Sequence, residues 1–111
     1  MGASAESDAV AALLAADYVI VARNWRCDVG ELDIVARDGD VLVFVEVRYR
    51  ADADHGHAAL MVTPAKRHRV SRVARAFLAL QRPWFDEIRF DVVAITGTAI
   101  DIIQDAWRLG L

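Results

Sequence analysis

Residues 44 to 50 read Phe-Val-Glu-Val-Arg-Tyr-Arg, so the most apolar run of the chain ends with a carboxylate, Glu46, and a guanidinium, Arg48, at alternate positions. Upstream, Asp38-Gly39 separates two apolar segments and is the dipeptide that suits a two-residue type I′ hairpin turn. If those two residues form the loop, partner numbers sum to 77, which sets Val35 opposite Leu42, Asp33 opposite Phe44 and Glu31 opposite Glu46. Side chains alternate along a strand, so Glu31, Asp33, Glu46 and Arg48 emerge on one face. Asp33 and Glu46 become diagonal neighbours with backbones about 7 to 8 Å apart. A cation bound at about 2.1 Å from each carboxylate oxygen spans that gap. Oxygen donors without His or Cys suit Mg²⁺ or Mn²⁺, and the chemistry they favour is phosphodiester hydrolysis: the metal polarises the phosphoryl group and activates a water while a nearby cation stabilises the transition state. The same face admits a structural reading, in which Glu46 pairs with a buried Arg48 or the face is simply open to water.

The elements that must position these groups follow from pattern. Ser4 to Ala16 is rich in Ala and Leu, with Ser4 as N-cap, acidic residues in the first turn and an apolar stripe of Val10, Leu13 and Leu14. Tyr18 to Trp25 reads as a strand, Glu31–Arg37 and Asp40–Tyr49 as the hairpin, and 51–62 as a loop. Thr63-Pro64 opens a second helix, Thr as N-cap and Pro in its first turn, with Val70, Val73, Ala74, Phe77 and Leu78 as its apolar stripe. Glu87–Ile95 and Ile100–Gln104 are the last two strands. The order predicts an α/β fold, a mixed five-stranded sheet flanked by helices, with the Ile88 strand parallel to the Val41 strand and burying it on both faces.

The totals bound the function. At 111 residues, 56% of them hydrophobic, the chain has the size of one domain, 1–111, with one real core. No apolar run approaches the roughly 18 residues of a membrane span, and Glu6 and Asp8 stand where a leader would be basic, so the chain reads as soluble and cytoplasmic. A net charge of −3 argues against coating nucleic acid by bulk attraction but leaves room for a local basic patch. Twelve of the 13 basic residues are Arg and one, Lys66, is Lys. Cys27, the single cysteine, reads as a small hydrophobe in a reducing compartment.

Several segments, taken in order, carry a resemblance: Ala5-Glu6 with Ala9, Asn24-Trp25-Arg26-Cys27, Gly30-Glu31-Leu32-Asp33, Phe44-Val45-Glu46-Val47-Arg48, Thr63 with Lys66, and Arg89-Phe90-Asp91-Val92-Val93. Together they resemble the YraN-like family of bacterial proteins, itself similar to the restriction-endonuclease-like PD-(D/E)XK nucleases and to Holliday junction resolvases. The resemblance implies a restriction-endonuclease-like core, a Mg²⁺ (or Mn²⁺) site built from Glu6, Asp33 and Glu46, DNA as substrate, branched DNA included, and a homodimer. Glu6 rests on the resemblance alone; as a residue it is equally an ordinary first-turn acid. Arg48 stands where the pattern has Lys. Lys can release a proton when desolvated and orient a water, whereas Arg stays charged and only stabilises negative charge. Three readings follow: Arg48 acts as an electrostatic clamp, the amine comes from elsewhere with Lys66 as the candidate, or the chain binds nucleic acid without cutting.

The basic stretch from Lys66 to Arg75 supplies the expected phosphate contacts, Lys66, Arg67, Arg69 and Arg72, extended by Arg50, though a solvated helix face explains the same charges. His55-Gly56-His57 reads as exposed loop rather than a metal pair, Asp91 as structural or supporting rather than a ligand, and Trp25 and Trp107 as packing rather than base-stacking residues.

Overall fold

The computed structural model describes the backbone over residues 2–50 and 62–109, and side chains over 5–49 and 62–109. Among the described residues, two helices and five strands follow the expected order: α1 (Gly2–Ala15), β1 (Val19–Cys27), β2 (Gly30–Asp38), β3 (Val41–Arg50), α2 (Pro64–Gln81), β4 (Glu87–Thr96) and β5 (Ala99–Trp107). The strands form one mixed sheet in the order β1-β2-β3-β4-β5, in which only β3 and β4 are parallel. This α/β architecture is compatible with a nuclease-like core. No helix among the described residues is long and apolar enough to cross a membrane.

Each helix covers one face. Ala9 and Leu13 of α1 pack with Ile34, Ala36, Val43, Val45, Val93 and Ile95, whereas Val70, Val73, Ala74 and Phe77 of α2 pack with Val35, Leu42, Phe44, Phe90 and Val92. The β3 residues Leu42, Val43, Phe44 and Val45 are therefore all buried, as a strand sandwiched between two helices requires. Trp25 meets Phe77 edge-on at 5.1 Å, and Trp107 stacks on Phe90 at 4.9 Å with its indole N–H donated to Ser71 Oγ, so both indoles serve packing. Half-buried Cys27 packs against the same cluster.

The helix ends show how local chemistry steers the chain. At α2, Thr63 caps as expected, its hydroxyl accepting from Lys66 N at 3.2 Å, with Pro64 next. At α1 the expectation fails: the helix begins at Gly2, so Ser4 lies inside it rather than capping it, and its first turn carries no acid. The C-terminus of α1 closes in a Schellman motif, Tyr18 N donating to Leu13 O at 2.9 Å and Asp17 N to Leu14 O at 3.0 Å, with Asp17 at φ 68 where glycine is usual. That turn drives Tyr18 back into the core instead of starting a strand.

The hairpin register also differs from the expectation. Asp38 pairs with Val41 and Val35 with Phe44, so the loop is Gly39-Asp40 and partner numbers sum to 79. Gly39 has φ +60 while Asp40 keeps an ordinary negative φ, an arrangement that fits a type II′ turn with Gly first. The slip is two residues, which preserves every side chain's face. Glu31, expected opposite Glu46, instead pairs with Arg26 at 2.8 Å, and the line through Glu46 now runs to Asp33.

Candidate active site

The hairpin ladder stops at Ile34–Val45, one residue short of Asp33 and Glu46. There the alternation of β2 also breaks. Leu32 joins the cluster under α2 while Ile34 joins the one under α1, although residues two apart on a regular strand share a face. The strands part at this break, and the Asp33 carboxylate takes the place of a backbone acceptor: Val47 N donates to its Oδ2 at 2.9 Å. Glu46 follows Leu42 and Phe44 onto the α2 face, and its side chain is 5% exposed.

Lys66 closes the group. Its position next to the Thr63 cap points it down from the first turn of α2, and Nζ stands 3.5 Å from Glu46 Oε1. The cation in contact with Glu46 is therefore Lys66 rather than Arg48. Half-buried Arg48 lies two residues further on the same face and adds its charge from there.

Electrostatics records the cost of this arrangement. Burial pushes the Glu46 carboxyl up to about 7, the Asp33 charge adds to the rise, and Lys66 and Arg48 oppose it. Asp33 is raised as well, by burial first; the Val47 N–H bond and Lys66 oppose the rise, and the charges of Glu6 and Glu31 reinforce it. Two carboxylates that resist ionising together are a donor set whose repulsion a divalent cation would relieve, and hard oxygen donors fit Mg²⁺ or Mn²⁺.

Glu6 is drawn aside. Asn24 Nδ2 donates to its Oε1 at 2.6 Å and Arg23 Nη2 lies at 3.8 Å, so Glu6 acts on Asp33 through charge while its oxygen is held by β1. Among the described residues no three acidic, His or Cys side chains converge as a ligand set. Sequence reasoning missed Asn24, which lies on β1 with φ 51, a left-handed conformation Asn tolerates better than most residues and which aims its amide at Glu6. An Asn in a Val- and Ile-rich strand was the available signal.

Of the expected phosphate contacts, Arg69 and Arg72 are exposed, whereas Arg67 is half-buried, donating to Val62 O at 2.9 Å and covering the Trp107 ring. The side chain of Arg50 and the His55-Gly56-His57 segment lie outside the described residues. Asp91, expected to be structural, is fully buried and accepts from Tyr18 Oη at 2.7 Å, from Arg89 Nε at 2.9 Å and from Asp105 N at 3.0 Å. Its last bond holds a bulge in β5, where Asp105 has φ 54 and the register slips between Phe90 and Val92. Arg89 reaches on to Asp38 at 2.8 Å, tying the hairpin end to β4, and its guanidinium is held more firmly protonated by the Asp91 bonds.

The segments that build this site also carry the chain's kinship. The model of the Uncharacterised protein family UPF0102 matches residues 5–95, a span that begins inside α1, reaches the last residue but one of β4 and includes Glu6, Asp33, Glu46 and Lys66. The chain belongs to that family, also known as the YraN family. UPF0102 relatives of similar size include a protein of Syntrophus aciditrophicus, 42% identical over 97% of this chain and 88% of its own length. Relatives from Geobacter sulfurreducens and Geobacter metallireducens are 47% and 46% identical, each covering 98% of this chain and 89% and 93% of their own lengths.

Proposed function

We propose that this UPF0102 protein is a Mg²⁺- or Mn²⁺-dependent endonuclease-like protein acting on DNA phosphodiesters in the cytoplasm, branched DNA included. The observation that carries the reading is the break between β2 and β3, where the buried Glu46 and the half-buried Asp33 lie close enough for each charge to act on the other, with Lys66 3.5 Å from Glu46. Asp33 and Glu46 would hold the metal, and Glu6, released from Asn24, would complete the set. A bound divalent ion supplies polarisation of the phosphoryl oxygen and a water that is easier to ionise. The chain's own residues do the rest. Lys66 supplies the amine that the E-x-K pattern places on the strand, able to orient a water beside Glu46, while Arg48 offers a fixed positive charge to the phosphate. Arg69, on the flank of α2 nearer Lys66, adds a phosphate contact at the mouth, and Arg50 belongs to the same proposed surface. A homodimer is part of this reading through the resemblance to junction resolvases.

The test has two stages. Mn²⁺ should raise the melting temperature of the parent and leave Asp33→Ala unmoved; no metal-dependent shift in the parent would sink the metal site. Cleavage of branched and single-stranded DNA is then compared between the parent and Arg48→Lys. A gain in rate identifies Arg48 as the limiting group, and equal, measurable rates show that Arg48 is not the defect.

A second reading, nucleic-acid binding without cleavage, is favoured by Arg48 at the lysine position and by Glu6 held by Asn24. It predicts metal-independent DNA binding with no cleavage by either protein.

A further inference from the structure

Lys66 and Arg67 are consecutive on α2, and a helix turns about 100° per residue, so they leave the helix on different flanks. Lys66 points to Glu46, whereas Arg67 points to Val62 O and the Trp107 ring. On the Arg67 side a groove of about 660 Å³ opens between α2 and the end of β5. Its walls carry Arg67, His68, Arg72 and Arg75 from the helix and Arg108 from the chain beyond β5, and its floor is Ser71 and Trp107, joined by the indole hydrogen bond. Among the described residues no carboxylate lines it, in a chain whose net charge is −3, and Asp105 at its edge pairs with Arg108 at 2.9 Å. Four of the thirteen basic residues thus meet in one place against the overall charge, on the opposite flank of α2 from the acid site.

We infer that this groove is a second nucleic-acid contact, which holds a stretch of phosphate backbone separate from the one at Glu46. The inference rests on the DNA reading above and extends its footprint across α2. The spacing of the side-chain nitrogens selects the ligand. His68, Arg72 and Arg75 rise along the helix by about 1.5 Å per residue, a row of roughly 10 Å. One strand of duplex DNA presents a phosphate about every 3.4 Å along its axis, so the row matches several phosphates rather than one free anion. Guanidinium groups also grip phosphate through paired hydrogen bonds. A protein partner would need an apolar anchor, and the large apolar residue of the groove, Trp107, is 8% exposed and already stacked on Phe90.

The experiment measures binding of a duplex two helical turns long, in EDTA, as a function of salt concentration. Because each phosphate contact contributes about 0.9 to the slope of log K against log salt, Arg72→Gln with Arg75→Gln should lower the slope by about 2. The same duplex should move the Trp107 indole N–H resonance of the parent. Arg108→Gln, a change at a side chain 83% exposed, provides a milder variant whose slope falls by about 1 if the double variant folds poorly. A parent that binds with a salt-dependent slope unchanged in both variants overturns the groove and leaves the acid site standing. A parent without salt-dependent binding overturns both the groove and the DNA reading. A slope that falls in the variants while Mn²⁺ gives no thermal shift supports the groove and removes the metal-dependent cleavage.

Discussion

Replacing Glu46 with Gln should make the metal-free protein more stable at pH 8, which is unusual for the loss of an ion-paired residue. The carboxyl titrates near 7 in the folded chain against 4.5 in the absence of burial. Below pH 4.5 both states are protonated and the residue costs nothing. As pH rises the unfolded chain ionises first while the folded chain keeps its proton, so native stability falls between about 4.5 and 7 and levels off above. At about 1.4 kcal/mol for each tenfold difference in proton affinity, the full penalty is about 3 kcal/mol. Gln keeps the shape and cannot ionise, and the raised titration already includes the attraction of Lys66, so the penalty is net of that contact. The gain of about 3 kcal/mol corresponds to roughly 12 °C in melting temperature for a domain of this size. Thermal melts in EDTA at increasing pH up to 8 measure it: the two proteins should differ little at the acid end and separate with increasing pH. Saturating Mn²⁺ should close the gap from the other side, since a ligand at a hundred times its Kd stabilises the parent by about 2.7 kcal/mol and the variant would bind it poorly. The reasoning is refuted if Glu46→Gln is no more stable than the parent at pH 8, or if its advantage is the same at pH 5.

Three other perturbations test the surrounding structure. Lys66→Met removes an attractive charge from Glu46 and should move its titration further upward, read by the carboxyl carbon resonance across pH. Asp91→Ala leaves Arg89 and the Tyr18 hydroxyl without their carboxylate and frees the β5 bulge, a loss of about 3 to 5 kcal/mol visible in urea unfolding. Gly30→Ala places a Cβ 2.9 Å from Val73 Cγ2 at a φ of +152, where L residues are strained, and should cost about 2 kcal/mol by the same measurement.

Much of the fold was legible because its signals are local. The Thr63-Pro64 start, the apolar stripe of α2 and the β-branched runs of β3 and β4 each depend on neighbouring residues, and the parallel β3–β4 pair follows from the helix between them. The register of the hairpin was not legible, because Asp38-Gly39-Asp40 satisfies two turn types that differ by two residues in pairing. Since such a slip conserves faces, Asp33 and Glu46 could still be grouped from the sequence, although the end of the ladder just before them could not. The break at Asp33 and the β5 bulge were invisible for a different reason: both are set by hydrogen bonds from a backbone N–H to a carboxylate on another strand, Val47 N to Asp33 and Asp105 N to Asp91. The contact of Lys66 with Glu46 depends on how α2 docks, which periodicity narrows to a flank but does not resolve to a distance.

The parallel pairing of β3 with β4 has a consequence for how the protein comes together. The β1–β2–β3 meander can form from neighbouring residues, but β4 reaches its place beside β3 only after the whole connection from Arg50 to Glu87, α2 included, has closed. Non-local closure of this kind is slow compared with hairpin formation, so the expected order is an early meander and a late docking of α2 and β4. Asp33 and Glu46 belong to the early unit and Lys66 to the late one. In the nascent meander the two carboxylates remain in water as an open, ionised pair, and their raised affinity for protons or a cation arises in the same step that completes the core.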